Sequence, residues 1–536
     1  MATRRVHEDP PYPSIDDVAR ERLGLSDLRE GQKEAVEALL SGRDVLAVMP
    51  TGWGKSAIYQ IAGSLIPGPT VVVSPLISLQ QDQVRAIAEA DVGGAAEANS
   101  NVSQGARSEA MEDLADGRLE FLLLAPERFS SADTLEQVAS AEPSLLVVDE
   151  AHCVSSWGHD FRPAYLQLGA VAREALGRPP ILALTATAAP PVRAEIAARL
   201  GMRDPLEIVT GFDRPNIRFE VVRCLDEDDK RDRFLERVRT LPAPGIVYTA
   251  TRASAEEVAE LVGSQGVRTE AYHAGLGAKR RRDVQQAFLD GEVDVMVATI
   301  AFGMGIDKPD VRFVLHYDVA ASPDGYYQEI GRAGRDGEPA EAVLLYRPED
   351  LGLKQRYAAG AGPSQKTITQ VATLLAGGEE LGNGRRAQAA VMALAAVGAV
   401  RVTPGEAPIW TGALEVGEAV EAVTYATKMR RGWERSRVEM MRGYAETGGC
   451  RRSFLLAYFG ERYPAPCGNC DACEGGRAAE PPDPRFPVSS HVSHRRWGPG
   501  QVVAAEGDTL VVLFTAHGYK TLSANAVAER NLLRVS

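Results

Sequence analysis

Lys55 and Ser56 end the segment PTGWGKS (50–56), which directly follows the apolar run DVLAVM (44–49). A strand that turns through glycines into a helix aims backbone N–H groups at phosphate oxygens. In that turn Thr51, Gly52 and Gly54 let the chain curl closely round an anion. Lys55 can bridge the β- and γ-phosphates, and the Ser56 hydroxyl can ligate Mg2+. The full GxxxxGK[ST] pattern would begin at position 49, where this chain has Met49. Further along, DEAH (149–152) closes the apolar run LLVV. Asp149 there can hold Mg2+, directly or through water, and Glu150 can orient and deprotonate an attacking water. Upstream, LREGQKEA (28–35) carries Arg29 and Gln32. An amide such as that of Gln32 can donate to and accept from an adenine edge, which selects ATP. The plainer reading of Gln32 is a surface glutamine on a helix.

A second kind of chemistry lies in the cysteines. Six are present, at positions 153, 224, 450, 467, 470 and 473. The last four crowd into CRRSFLLAYFGERYPAPCGNCDAC. Two CxxC steps plus a cysteine on a helical arm fit a tetrahedral zinc site made of Cys450, Cys467, Cys470 and Cys473. With no open ligand position, such a metal is structural. Cys153 and Cys224 read as ordinary core or loop residues.

These residues need a scaffold, and the pattern of apolar runs supplies one. Short β-branched runs alternate with helical stretches at 44–49, 70–75, 121–126, 145–150 and 181–187. The alternation restarts at 245–251, 269–274, 293–299, 311–318 and 342–346. Continuous apolar strands between helices predict parallel sheets covered on both faces, hence two tandem α/β lobes. They divide near 205–215, giving lobe 1 at 1–208 and lobe 2 at 209–350. Residues 351–446 turn Ala-rich and helical. A displaced winged helix-like insert and a plain helical spacer both fit them. The cysteine module follows at 447–475, a Gly/Pro linker at 476–487, and a small β-barrel with short strands at 488–536.

The formal net charge is −14, which by itself argues against a nucleic-acid ligand. Net charge sets solubility and steering, however, and a basic groove can sit within an acidic shell. No apolar run is long enough for a membrane span. The N-terminal stretch does not read as a secretory signal. A cytoplasmic, nucleoid-associated location is expected.

The order LREGQ, PTGWGKS, SPLISLQQDQ, DEAHCVSSWGHDFRP, LTATA, FDRPNI, YHAGL, ATIAFGMGIDKPDVRFVLHYD and YYQEIGRAGRDG resembles RecQ-family DNA helicases of superfamily 2, bacterial type, over roughly residues 20–350. The cysteine spacing is similar to the zinc module of that family. The resemblance implies two RecA-like lobes, ATP and Mg2+, and an aromatic-rich loop at 153–163. In that loop Trp157 and Phe161 stack on bases, and His159, Asp160 and Arg162 link the loop to the ATP-binding acids. It implies that Thr185 and Thr187 relay nucleotide state between lobes. From QEIGRAGRDG, Gln328, Arg332 and Arg335 face the triphosphate, with Arg335 as the finger and Arg332 as a phosphate sensor. Asp307 assists nucleotide binding and lobe closure. Strand contacts are expected from Ser78, Gln80, Gln81, Arg128, Arg252 and Thr299. The run KRRR (279–282) reads equally as a strand contact or a solvated helix face.

The expected activity is ATP-dependent 3′→5′ translocation on single-stranded DNA, with unwinding of duplex or branched DNA in repair and recombination. An ATP-switched DNA clamp and a DEAH-type RNA helicase remain alternatives. RecQ proteins usually carry a winged helix and a further C-terminal domain after the zinc module. The 63 residues after Cys473 fit neither. They instead resemble the Tudor-like (SH3-type) end of UvrD-type helicases, through HRRWGPGQVV. Trp497, Phe514 and Tyr519 there are core or a partner face, with core expected for at least two. By resemblance the partner is RNA polymerase or a repair protein. A monomer is expected.

Overall fold

The computed structural model describes residues 13–75, 77–99, 102–155, 162–303, 308–352, 363–382, 384–402, 407–476, 485–488, 490–506, 509–515 and 517–535. The first lobe is a seven-stranded sheet. Its strands are β1 (Val45–Val48), β2 (Thr70–Val73), β3 (Ala95–Ala98), β4 (Phe121–Leu124), β5 (Leu145–Val148), β6 (Ile181–Thr185) and β7 (Leu206–Val209), in the order β3-β4-β2-β5-β6-β1-β7. All its pairs are parallel, and its five inner strands are buried throughout. The continuous apolar runs follow from cover on both faces. Helices α1 (Gln32–Leu40) and α2 (Lys55–Leu65) pack on one face beside β1.

The second lobe repeats the plan. Its strands are β8 (Ile217–Arg223), β9 (Gly245–Tyr248), β10 (Thr269–Tyr272), β11 (Val295–Ala298), β12 (Phe313–His316) and β13 (Ala340–Tyr346), in the order β10-β11-β9-β12-β13-β8, again all parallel. Each of the ten apolar runs contains a strand. Three strands carried no such run: β3, whose AAEA lacks branched residues, and β7 and β8, which flank the lobe junction. Helix α3 (Pro323–Ile330) is capped by Ser322, whose hydroxyl accepts from the Gly325 N–H at 3.1 Å. It leads directly into Arg332 and Arg335.

Beyond lobe 2, α4 (Gln365–Ala376) and α5 (Arg385–Ala396) pair with a two-stranded hairpin, β14 (Val400–Arg401) with β15 (Ile409–Trp410). The first turns of the 31-residue helix α6 (Val416–Glu446) complete a separate apolar core of Ile368, Val371, Leu375, Leu394, Val400 and Val420. Helix α7 (Arg451–Tyr458) follows, with Cys450 as its N-cap.

The tail forms a five-stranded antiparallel sheet. Its strands are β16 (His491–His494), β17 (Gly498–Glu506), β18 (Thr509–Phe514), β19 (Gly518–Ser523) and β20 (Leu533–Val535), in the order β19-β18-β17-β16-β20. Among the described residues β19 does not pair with β20, so a sheet is present and a closed barrel is not shown. Phe514 is fully buried and Trp497 half-buried, stacked 4.1 Å from His494.

The tail is built into the motor. Val503, Val511, Leu513 and Tyr519 join the same apolar cluster as Trp433, Met441, Tyr444 and Leu456 of α6 and α7. The Tyr519 ring stacks on Tyr458 at 4.8 Å, and its N–H donates to Ser436 Oγ at 3.2 Å. Gly518 has φ +69°, and a Cβ there would meet Ser436 Oγ at 2.5 Å, so only glycine lets the chain approach α6 so closely. Truncating a buried aromatic costs about 3–5 kcal/mol. Tyr519→Ala is therefore expected to undock the tail and make its strands more sensitive to limited proteolysis. A cleavage pattern identical to wild type would contradict this docking.

Candidate active site

The phosphate loop is shaped by backbone geometry. Gly52 and Gly54 both adopt left-handed φ, +78° and +79°, which side chains other than hydrogen resist. Gly54 is the N-cap of α2, so the first turn's N–H groups face the loop. Lys55 folds back, donating from Nζ to the carbonyls of Met49 (3.1 Å) and Pro50 (3.3 Å). Burial lowers the ammonium, opposed by the Glu150 and Asp149 carboxylates and assisted by the Arg335 charge.

Arg29 and Gln32 also meet the loop. Arg29 Nη1 donates to the Gly52 carbonyl at 2.6 Å, and its guanidinium lies 5.5 Å from the Trp53 ring. Gln32 is buried rather than on the surface. Its amide nitrogen donates to the carbonyls of Trp53 (3.1 Å) and Gly54 (2.9 Å), while its oxygen accepts from the Arg29 N–H at 2.8 Å. The amide nitrogen thus holds the loop and the oxygen holds the Arg29 backbone in this state, and contact with adenine requires both to exchange partners.

The acids sit where β5 ends. Asp149 is buried, accepts from the Glu150 N–H at 3.0 Å and lies 3.4 Å from Ser74 Oγ. Glu150 has φ +48°, a left-handed backbone that costs free energy at a residue other than glycine and that marks functional turns. Burial, and then the neighbouring Glu150 carboxylate, push the Asp149 carboxyl up to about 6. Asp149 and Glu150 together, facing Lys55 of the phosphate loop, suit a divalent cation, whose charge would favour the ionised form. In acid, Mg2+ must displace the Asp149 proton. Lowering the pH from 7.5 to 5.5 should raise the free Mg2+ needed for half-maximal hydrolysis about fourfold. An unchanged Mg2+ requirement would rule out this proton.

One link was not singled out from the sequence. His152 Nδ1 lies 3.0 Å from Thr185 Oγ1 and 3.3 Å from Glu150. Thr185 in turn accepts from the Thr187 N–H at 3.2 Å, and both threonines are buried. The acid motif is thereby wired to LTATA at the end of β6. The histidine of DEAH was the available signal. Tyr165, whose hydroxyl donates to the Asp149 carbonyl at 3.0 Å, had none.

Lobe 2 closes the site. A Cβ on Gly52 would lie 3.6 Å from Arg335 Cγ, and one on Gly331 would lie 3.8 Å from Thr51 Oγ1. Arg335 therefore crosses the cleft onto the phosphate loop. Arg332 does not: its guanidinium is buried against Gly303 and donates to that carbonyl within lobe 2. Gln328 is half-buried on α3.

The expected strand contacts are more dispersed. Trp157, His159, Asp160, Phe161 and Asp307 lie outside the described residues, as does the side chain of Ser78. Arg162 donates to the Pro75 carbonyl at 3.2 Å. Gln81 donates to Glu97 at 3.1 Å, whereas Gln80 is buried and donates to the Ser74 carbonyl at 2.8 Å. Arg128 donates to Thr134 at 2.9 Å. Arg252 is exposed at a helix start, and Thr299 is half-exposed just after β11. Arg280 of the KRRR run pairs with Glu270 at 2.6 Å.

The four cysteines of the second motif converge, with all Sγ atoms within 4.8 Å of one another. Four thiols and no carboxylate form the donor set of a closed zinc site. Arg451 beside it binds Asp471 (3.0 and 3.2 Å) and the Tyr444 carbonyl (2.6 Å). Arg452 reaches Asp213 and the carbonyls of Arg214 (2.8 Å) and Ile217 (2.7 Å). The Phe219 N–H donates to Asn469 O at 3.4 Å, so the module is fastened along the edge strand of lobe 2. Cys153 and Cys224 are buried elsewhere.

Two parallel-sheet lobes with a phosphate loop and acids on one and an arginine arriving from the other define a two-lobed helicase motor. Family comparison agrees. The DEAD/DEAH box helicase model matches residues 29–195, the helicase conserved C-terminal domain 230–337, and the RecQ zinc-binding model 420–474. The chain is 36% identical to the probable ATP-dependent DNA helicase RecS of Bacillus subtilis, over 84% of this chain and 89% of that protein. It is 36% identical to the ATP-dependent DNA helicase RecQ of Pasteurella multocida over 87% of this chain, but spans only 63% of that relative's length. Among solved structures, the helicase MrfA bound to DNA and AMPPNP matches with TM-score 0.53 at 18% identity, covering 76% of this chain and 63% of that one. Yeast Dbp5 bound to RNA and ADP BeF3 matches with TM-score 0.52 at 18% identity, covering 64% and 93%. At that identity both show the fold alone. The chain belongs to the RecQ family of ATP-dependent DNA helicases, with ATP, Mg2+ and zinc as cofactors. Among the described residues no helix is long and apolar enough to cross a membrane.

Proposed function

We propose that this chain translocates 3′→5′ on single-stranded DNA and separates duplex or branched DNA during repair and recombination, using the cleft between its lobes as the engine. The observation that carries this reading is Arg335, lying from lobe 2 across Gly52 of the phosphate loop. An arginine in that position stabilises charge on the transferring phosphoryl group only while the lobes are closed, which couples hydrolysis to lobe movement. Lys55 and Ser56 hold the phosphates and Mg2+, Asp149 holds Mg2+, and Glu150 activates water. Arg29 and Gln32 support the nucleotide end of the loop, and His152 and Thr185 report the state of the acids to the lobe interface. Arg332 acts from inside lobe 2 by shaping the Gly303 turn.

The segment 351–446 is read as a winged helix-like insert placed before the zinc module, and the tail as an SH3-like domain. Tyr519 is committed to the motor. A protein partner such as RNA polymerase or a repair factor would therefore meet the tail near His494 and Trp497. A monomer associated with the nucleoid fits this reading. The test is displacement of a labelled strand from duplexes with 3′ or 5′ overhangs, measured beside ATP hydrolysis. Displacement only from the 3′-overhang substrate is expected. DNA-stimulated hydrolysis without displacement would make the protein an ATP-switched clamp, and stimulation by RNA alone would make it an RNA helicase.

A further inference from the structure

A cavity of about 710 Å³ opens between the start of α4 and the middle of α6. Among the described lining residues the ionisable ones are Lys428, Arg431 and Arg435, with no carboxylate. Lys428 and Arg435 have no ion-pair partner among the described residues. Glu434, on the same helix, lies 3.7 Å from Arg430 and also faces Arg431, so Lys428 and Arg435 are the two cations it leaves uncompensated. In a chain of net charge −14 such a lining is unusual. Spacings of three and four residues set Thr424, Lys428, Arg431 and Arg435 on one face of α6, where like charges oppose helix formation. An anionic ligand would relieve that repulsion.

Two further features point to the kind of anion. Gly432 sits in the groove in the middle of a 31-residue helix, and a Cβ there would meet no atom within 4 Å. Glycine is the poorest helix former after proline, and no packing contact requires it here. What it does provide is a flat groove floor. Tyr425, 65% exposed, lies three residues before Lys428 and seven before Gly432, a spacing that sets it on the same side of the helix. The three cations cover roughly 10 Å of helix axis, enough for about two phosphates. A row of cations tracking a backbone, with an exposed aromatic beside it, is the chemistry that binds single strands.

We propose that the groove between α4 and α6 holds the sugar-phosphate backbone of an unpaired DNA strand, with a base against Tyr425. This rests on the helicase reading and adds a strand-binding site outside the two lobes. Binding of a fluorescent oligothymidine to the full chain, followed by anisotropy across a salt series, tests it. Arg431→Ala/Arg435→Ala should weaken binding about tenfold and lower the salt dependence of log K by about 1.4, or 0.7 per phosphate contact. The DNA concentration for half-maximal ATP hydrolysis should rise while the rate at saturating DNA stays at wild type. Gly432→Met, which favours the helix but fills the groove, should weaken binding with an unchanged melting temperature. Tyr425→Ala should weaken oligothymidine binding and leave blunt duplex binding alone. Unchanged affinity and salt slope in the arginine variant would overturn the proposal, as would losses confined to blunt duplex. If wild type hydrolysis is not stimulated by DNA at all, the helicase reading fails first, so the two failures are distinct.

Discussion

Arg335→Ala is expected to reduce DNA-stimulated ATP turnover about 10³-fold or more while leaving the KM for ATP within a few-fold of wild type. The reason lies in geometry. The Arg335 side chain packs over Gly52, where a terminal phosphate would sit, yet it belongs to the opposite lobe. A group that meets the phosphate mainly in the closed, reacting state contributes to kcat rather than to ground-state binding. Lysine should restore little, because a point charge lacks the planar fork of the guanidinium. Lys55→Ala should also silence hydrolysis, but with weakened nucleotide binding, since Lys55 lies within the loop itself. Arg332→Ala separates the two arginines of the motif. It removes a buried guanidinium from the Gly303 carbonyl and should lower thermal stability together with activity. Retention of more than a tenth of the wild type rate in Arg335→Ala would move the finger role to another residue.

Loss of zinc is the second large effect. Structural zinc in small modules contributes about 10–16 kcal/mol of apparent binding free energy, comparable with the whole stability of a domain. Cys470 is buried and its neighbour Asp471 holds Arg451, which is also buried. If Cys470→Ser releases the metal, Asp471 moves and leaves a buried guanidinium unpaired, a loss of about 3–5 kcal/mol on its own. The damage should spread through Arg452 and Asn469 to the edge strand of lobe 2, and through the Phe212–Phe459 stack at 4.4 Å to the lobe junction. The expected result is one zinc per chain in wild type and none in the variant, by atomic absorption, with a lowered melting temperature and impaired hydrolysis. A variant that loses its zinc and melts like wild type would show that the metal does not hold this module.

The ATP site was legible because its parts are local. A strand, a glycine turn and a helix within a dozen residues specify the phosphate loop, and β5 delivers Asp149 and Glu150 at its end. Two CxxC steps likewise specify a metal site, since their ligands are close in the chain. The missed strands have equally local explanations. AAEA pairs at a sheet edge and needs no branched residues, and Ile217–Arg223 alternates with charged residues at the other sheet's edge. The direction in which Arg332 turns was not legible. Three-residue spacing sets two side chains on one helical face, but the chain leaves helix α3 at Ile330, before either arginine.

What the residues determined by themselves was chemistry and class: a triphosphate site, a four-thiolate metal site and two parallel-sheet lobes, because each follows from short-range pattern and periodicity. Only the tertiary structure decided which side chains meet across long loops. It set Gln32 on the phosphate loop, joined His152 to Thr185, carried Arg335 rather than Arg332 across the cleft, and packed Tyr519 against Tyr458. Those contacts join segments that lie from about twenty to nearly three hundred residues apart. Burial and packing select such partners, and no local sequence rule encodes them.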